Sequence, residues 1–338
     1  MAKRPETAEN GKKNIIILAI AAIAVIAAAT GIYIFENRDS DGVTDSSKDT
    51  YDIEGIECTK KQNVETYLIM GTDDRKIDDM DTVQSDTNIL LVIDRKEETY
   101  AMLPLDRDAM VVYDIADEDG EVLGETTSQL ALAYARGGDD ETGCEMTKNA
   151  VSKLMDGQYI NGYVAINMDS IGKINHILGG VDVKIEDDFG DDSDLVKGKT
   201  VHLSDKQAEE FVRGRKGVGD GTNENRMKRQ EAYLDGALNA FKEKCLKDSS
   251  FVNDAMDQME DCMVTDMTNA QLSKIGKILE GNKRIDVPEI KYKRTINPET
   301  KLAEVVYDEV TLNYATIKLF YNPVEEWYFE SLLEEETE

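Results

Sequence analysis

Residues 88–105 read NILLVIDRKEETYAMLPL. A run with an apolar middle, NILLVID at 88–94, is followed by four charged residues, Arg95-Lys96-Glu97-Glu98. A second run, TYAMLPL, fills 99–105. Two short apolar runs on either side of a charged turn predict paired strands. Working outward, VETYLIMG at 64–71 predicts a strand ending in glycine, and 110–113 a further short strand. SQLALAYAR at 128–136 has helical character and stops at Gly137-Gly138, glycine being common just past a helix end. Residues 145–154 predict a second helix, YVAIN at 163–167 a strand, 168–177 a helix, and 181–185 a strand after Gly179-Gly180. Residues 204–213 predict a helix with Ser204 as N-cap, and Gln207 stands at the capping-box spacing. A long amphipathic helix is expected over 225–241. Residues 248–281 read as mostly helical and acidic. Residues 289–321 alternate like strands and hold one last helix near 309–319. Strands and helices mix throughout, so the fold class is α/β, with a central sheet and flanking helices.

The 338 residues carry a formal net charge of −30. Such a field repels polyanions, so a nucleic-acid partner is not expected. An anionic ligand has to be gripped by a local cluster of Arg or Lys. The chain has two histidines, His176 and His202, neither beside a nucleophile signature, so a Ser-His triad or a multi-histidine zinc site is unsupported. Its four cysteines, Cys58, Cys144, Cys245 and Cys262, form no C-x-x-C. Cys245 and Cys262 flank a short stretch and either pair or serve as small core residues.

Residues 14–35, NIIILAIAAIAVIAAATGIYIF, are uncharged, and about 20 such residues cross a bilayer as a helix. Lys3, Arg4, Lys12 and Lys13 precede the run; Glu36, Asp39 and Asp41 follow it. The positive-inside rule keeps residues 1–13 in the cytoplasm and exports the rest. The run exceeds the usual signal-peptide core, which favours an uncleaved anchor over a cleaved signal. Residues 36–63 read as a polar juxtamembrane linker, 64–245 as the extracellular catalytic domain, and 246–338 as an acidic helical segment with a closing strand and helix.

Charged residues gather in three places where strands end. The first is Gly71-Thr72-Asp73-Asp74-Arg75, followed by Ser85-Asp86-Thr87 before a strand. The second is Asp106-Arg107-Asp108, after a strand. The third is Arg213-Gly214-Arg215, then the glycine-rich 217–221, then Arg226-Met227-Lys228-Arg229-Gln230. Spacing of i, i+3, i+4 puts Arg226, Arg229 and Gln230 on one helical face. Strand ends in open α/β sheets collect ligand sites. Arginines there bind phosphate bidentately, and carboxylates beside them suit Mg²⁺ shared with phosphate oxygens.

The ordered set G-x-D-x-R, S-D-T, R-D, G-G-V and R-x-R…G-D-G…R-x-x-R-Q resembles the LytR–CpsA–Psr family of Gram-positive envelope proteins. The resemblance covers roughly residues 65–241. It implies an α/β/α domain with a hydrophobic pocket for a polyprenyl chain, carried on one N-terminal transmembrane helix. It also implies a phosphotransferase that moves a glycopolymer from undecaprenyl pyrophosphate onto peptidoglycan. Asp74 and Asp86 match the positions for Mg²⁺ (or Mn²⁺). Arg107, Arg213, Arg215, Arg226 and Gln230 match pyrophosphate-binding and catalytic positions, and Arg229 joins them by its place on the helix. Asp108 either orients Arg107 or accepts a proton, and Asp86 completes the catalytic set. The sequence departs from the pattern at Gln84, where Arg is usual, at Asp106, where Pro or Asn is usual, and at Ala109, where Thr is usual. The expected partners are a polyprenyl-pyrophosphate-linked glycopolymer (teichoic acid, capsule and other wall polymers all remain open), peptidoglycan and the membrane. A non-catalytic binding module and a pyrophosphatase acting on the same substrate are the alternatives.

Overall fold

The computed structural model describes residues 50–73, 83–116, 122–167, 170–190, 193–214, 217–219, 251–259 and 262–337, with single positions and pairs between 228 and 247. The strands are β1 (Thr50–Ile53), β2 (Ile56–Lys60), β3 (Val64–Asp73), β4 (Gln84–Asp94), β5 (Thr99–Leu105), β6 (Met110–Ala116), β7 (Val122–Gln129), β8 (Gly162–Asn167), β9 (Val181–Lys184), β10 (Thr200–Leu203), β11 (Met263–Thr265), β12 (Lys283–Arg284), β13 (Tyr292–Ile296), β14 (Ala303–Tyr307) and β15 (Tyr321–Pro323). The helices are α1 (Leu130–Ala135), α2 (Asp140–Leu154), α3 (Ile171–Leu178), α4 (Asp205–Arg213), α5 (Phe251–Met259), α6 (Asn269–Gly281), α7 (Glu309–Phe320) and α8 (Glu326–Thr337). Every described position between 228 and 247 is also helical.

The central sheet has six strands in the order β11-β8-β3-β4-β5-β12. It is mixed: β11 pairs with β8 antiparallel and β12 with β5 parallel. Residues 88–105 supply most of β4 and all of β5. Ile89 to Asp94 are buried at every position, the mark of a strand covered on both faces. Each fully buried Leu or Ile there stabilises the fold by about 1.5–3 kcal/mol. The turn at 95–98 is tied by Asp94, whose Oδ1 accepts the N–H groups of Lys96 and Glu97 at 3.0 Å each.

The chain forms two compact units. One takes Ile69–Ile89 and Val164–Glu280; the other takes the strands before Ile69, Leu90–Tyr163 and Gly281–Glu338. In the first unit α4 starts as its sequence predicts. Ser204 Oγ accepts the Gln207 N–H at 3.4 Å, and the Gln207 side chain accepts the Ser204 N–H at 3.0 Å. Among the described helical positions between 228 and 247, Arg229, Tyr233, Ala237 and Phe241 are buried, a stripe of period four. This segment lies close to β9: a Cβ on Gly236 would stand 2.5 Å from the Asp182 carbonyl oxygen.

In the second unit the expected linker over 36–63 is corrected. Residues 50–60 form the β1-β2 hairpin, and β2 pairs with β15. The two-residue turn Glu54-Gly55 has φ of 54° and 75°, as a type I′ hairpin requires. The helix expected from 128 begins at Leu130, because Val122–Gln129 pairs with β6 instead. No described helix is long and apolar enough to cross a membrane, and residues 14–35 lie outside the described residues.

Candidate active site

Arg107 sits in the turn between β5 and β6. The turn closes on itself: the Ala109 N–H donates to the Asp106 carbonyl at 3.0 Å, and the Asp108 N–H to Asp106 Oδ1 at 2.9 Å. The first N–H groups of a helix lack intrahelical acceptors. In α1 they are spent on this turn, Leu130 donating to the Ala109 carbonyl at 2.8 Å and Ala131 to the Arg107 carbonyl at 3.0 Å. From the other side the Val305 N–H donates to the Asp108 carbonyl at 2.9 Å. The Asp106 N–H donates to the Tyr307 hydroxyl at 2.7 Å. Tyr307 is half-buried; desolvation of its hydroxyl raises the phenol pKa, outweighing the hydrogen bond with the Asp106 N–H, which lowers it. The backbone of the turn is therefore held from three directions, and the Arg107 side chain remains 34% exposed.

Side chains lock the same turn. Arg294 places Nη2 at 2.5 Å from Asp106 Oδ2 and Nη1 at 2.6 Å from Asp108 Oδ2. Gln129 donates from Nε2 to Asp108 Oδ1 at 3.1 Å and to the Ala303 carbonyl at 2.7 Å. Arg107 Nε lies 3.7 Å from Asp108 Oδ1. The sequence pointed to none of Gln129, Arg294 or Tyr307. No local signal marks them, since Arg294 lies 186 positions from Asp108.

In the first unit Asp86 stands on β4 between the fully buried Ser85 and the half-buried Thr87. Arg213 ends α4, half-buried. Arg229 corrects an expectation. It is only 4% exposed, and its guanidinium is turned inward. Nε donates to the Phe211 carbonyl at 2.9 Å, Nη2 to the Gly214 carbonyl, and Nη1 to the Asp187 carboxylate. Its guanidinium carbon lies 5.6 Å from the centre of the Phe189 ring. All three guanidinium nitrogens are thus committed to the protein, so Arg229 braces the turn after Arg213 and does not reach a ligand. The buried stripe through Tyr233, Ala237 and Phe241 was the sequence signal for this.

Asp74, Arg215, Arg226 and Gln230 lie outside the described residues. Among the described residues there is no group of three or more His, Cys, Asp or Glu placed to hold a metal ion. The Asp86 carboxylate fits a hard cation in kind, since Mg²⁺ and Mn²⁺ prefer oxygen ligands, and two residues on along the strand Asn88 Oδ1 is a buried oxygen without a hydrogen-bond partner. Cys58, Cys144 and Cys262 are thiols, and Cys245 lies outside the described residues.

The sequence profile of the LytR_cpsA_psr family matches residues 32–318. The chain belongs to the LytR_cpsA_psr family. Among curated members it is 24% identical to the polyisoprenyl-teichoic acid–peptidoglycan teichoic acid transferase TagV of Bacillus subtilis (strain 168), over 79% of this chain and 61% of that one. It is 25% identical to the TagU enzyme of Bacillus mycoides (strain KBAB4), over 82% of this chain and 88% of that one. This LytR_cpsA_psr chain therefore spans less than two thirds of the TagV sequence. The crystal structure of B. subtilis TagV superimposes with a TM-score of 0.51 at 21% identity, covering 77% of this chain and 96% of that one. That likeness extends the family assignment to the fold.

Proposed function

We propose that this LytR_cpsA_psr protein is an extracytoplasmic phosphotransferase. It moves a wall glycopolymer from a polyprenyl pyrophosphate carrier onto peptidoglycan and leaves a phosphodiester. Two relatives named as teichoic acid transferases support the substrate class. The observation that carries the reading is Arg107, a half-exposed guanidinium on a turn whose backbone is bonded on three sides. A guanidinium carried on a fixed turn is suited to bidentate hydrogen bonds with phosphoryl oxygens.

In the reaction a hydroxyl of the glycan acceptor attacks the polymer-linked phosphorus. The bridging P–O bond breaks, its electron pair and oxygen leave with the lipid phosphate, and a carboxylate takes the hydroxyl proton. Arg107, with Arg213, Arg215, Arg226 and Gln230, neutralises the pyrophosphate and the charge that develops as the bond breaks. Asp86 with Asp74 would hold a divalent cation, Mg²⁺ or Mn²⁺, which adds positive charge at the phosphoryl oxygens when bound. An anchor through residues 14–35 would keep the enzyme in the membrane that carries its lipid substrate and raise the effective concentration of both.

The test uses the full-length chain in lipid vesicles with lipid-linked polymer and peptidoglycan. The wild type attaches polymer to the glycan, and Arg107→Ala lowers the rate about 10²–10³-fold, as removal of one oxyanion-stabilising donor does. Release of sugar phosphate without acceptor would identify a hydrolase. Binding without a covalent product would identify a capture module. Full transfer by Arg107→Ala would overturn the assignment of that residue.

A further inference from the structure

Asn88 opens the continuous buried run of β4, residues 88–94, and is the one amide side chain in it. Five aliphatic residues, Ile89 to Ile93, follow it. Asn88 is 0% exposed, and its side chain is only half satisfied. Nδ2 donates to the Ser85 carbonyl at 3.0 Å, whereas Oδ1 is buried without a hydrogen-bond partner. The amide is thus held by its nitrogen end, and the oxygen end is left over. A buried acceptor left unmade costs about 1–3 kcal/mol. Leucine would fill the position without an orphaned oxygen, so an amide kept there calls for a ligand such as an ion or a water.

The strand says which. Side chains alternate along a strand, so residues 86 and 88 project from the same face of β4. Asp86 is half-buried and Asn88 fully buried, which puts a carboxylate and then an amide oxygen along one short D-x-N stretch that runs into the core. Ser85 Oγ, also buried and without a partner, projects from the opposite face and takes no part. Carboxylate and carbonyl oxygens both suit Mg²⁺ and Mn²⁺. We propose that Asn88 Oδ1 is a ligand of the divalent cation held at Asp86.

An amide oxygen differs from a further carboxylate in one way that matters in a chain with a net charge of −30. It binds the cation without cancelling its charge, so more of that charge acts on a diphosphate. Making the ligand acidic therefore has opposite effects on the two partners: the cation is held at least as firmly and the diphosphate less. A buried water on Oδ1 predicts neither effect. The inference rests on the transferase reading only for the cation at Asp86.

The test uses the full-length chain in vesicles at pH 8. Free Mn²⁺ is followed by EPR, with and without geranylgeranyl pyrophosphate, and binding of that diphosphate is then measured at saturating Mn²⁺. Asn88→Leu is expected to weaken Mn²⁺ binding about ten- to hundredfold, the scale on which loss of a supporting group acts at a metal site. Its metal-free urea midpoint stays close to that of the wild type, because losing the bond to Ser85 is offset by removing the orphaned oxygen. Asn88→Asp holds Mn²⁺ at least as tightly as the wild type yet takes the diphosphate about tenfold more weakly. In an Asp86→Ala background Asn88→Leu has no further effect, since both act on one ion. Should Asn88→Leu fail to fold, Asn88→Ala carries the same comparison. Wild-type Mn²⁺ affinity in Asn88→Leu overturns the assignment, as does an undiminished effect of that change in Asp86→Ala. Equal losses of Mn²⁺ binding in Asn88→Leu and Asn88→Asp overturn it too. A wild type that binds no Mn²⁺, with or without the diphosphate, overturns the ligand and leaves a transferase that works without a cation. Mn²⁺ binding that depends on Asn88, in a protein that attaches no polymer to the glycan, sinks the transferase reading and leaves the ligand in place.

Discussion

Replacing Arg229 with Met decides between a ligand-binding and a bracing arginine. Methionine keeps the contact with the Phe189 ring and fills much of the volume, but it removes every donor. Three acceptors lose their partner: the carbonyls of Phe211 and Gly214 and the carboxylate of Asp187, which is 16% exposed. A buried carbonyl left unmade costs about 1–3 kcal/mol, and breaking a buried ion pair about 3–5 kcal/mol. Because these losses overlap at one site, about 3–5 kcal/mol is the expected total. For a domain of about 150–250 residues, at roughly 2–4 °C per kcal/mol, that lowers the melting temperature by about 6–20 °C. The assay is thermal and urea unfolding of Arg229→Met beside wild type, with geranylgeranyl pyrophosphate affinity measured well below both midpoints. Bracing predicts a large fall in stability and, while the protein is folded, a modest change in affinity. An unchanged midpoint with binding abolished would refute the reasoning and return Arg229 to the ligand.

Gly236→Ala forces a methyl against the Asp182 carbonyl, 2.5 Å away; it should cost about 1–3 kcal/mol as an overpacked contact, read as a lower urea midpoint with unchanged slope. Asp308 caps α7, accepting the Thr311 N–H at 3.0 Å, so Asp308→Ala should cost about 1 kcal/mol at neutral pH. That N–H, and next the Thr311 hydroxyl, lower the Asp308 pKa. The cap's contribution is therefore complete above the unfolded carboxyl value of about 3.9 and is lost as pH falls through the folded value. The wild-type and Asp308→Ala stability curves should converge in acid, and a constant gap down to pH 2 would contradict the capping role.

Much of the frame was legible because it depends on local pattern. β5 spans the predicted residues 99–105, and β4 extends the predicted strand back to Gln84. The capping box at Ser204 and Gln207 formed as its spacing implied. What escaped depends on distant pairing. The β1-β2 hairpin has few apolar residues and is completed by β15, which arrives only after residue 320; its one local cue was the Glu54-Gly55 turn. β12 is two residues long and exists by pairing with β5. The site divides the same way. Arg107 and Asp108 are candidates from motif order, whereas Gln129, Arg294 and Tyr307 reach the same turn through the fold. Arg229 was misassigned because two arginines and a glutamine were placed on one helical face before the apolar stripe through Tyr233, Ala237 and Phe241 was followed back to it.

The most direct measurement is ³¹P NMR of the isolated glycan after wild-type protein has acted on lipid-linked polymer and peptidoglycan. A new phosphodiester resonance attached to the glycan, absent with Arg107→Ala, is the predicted result. A glycan spectrum without that resonance, while lipid-linked pyrophosphate is consumed and phosphomonoester accumulates, would contradict transfer.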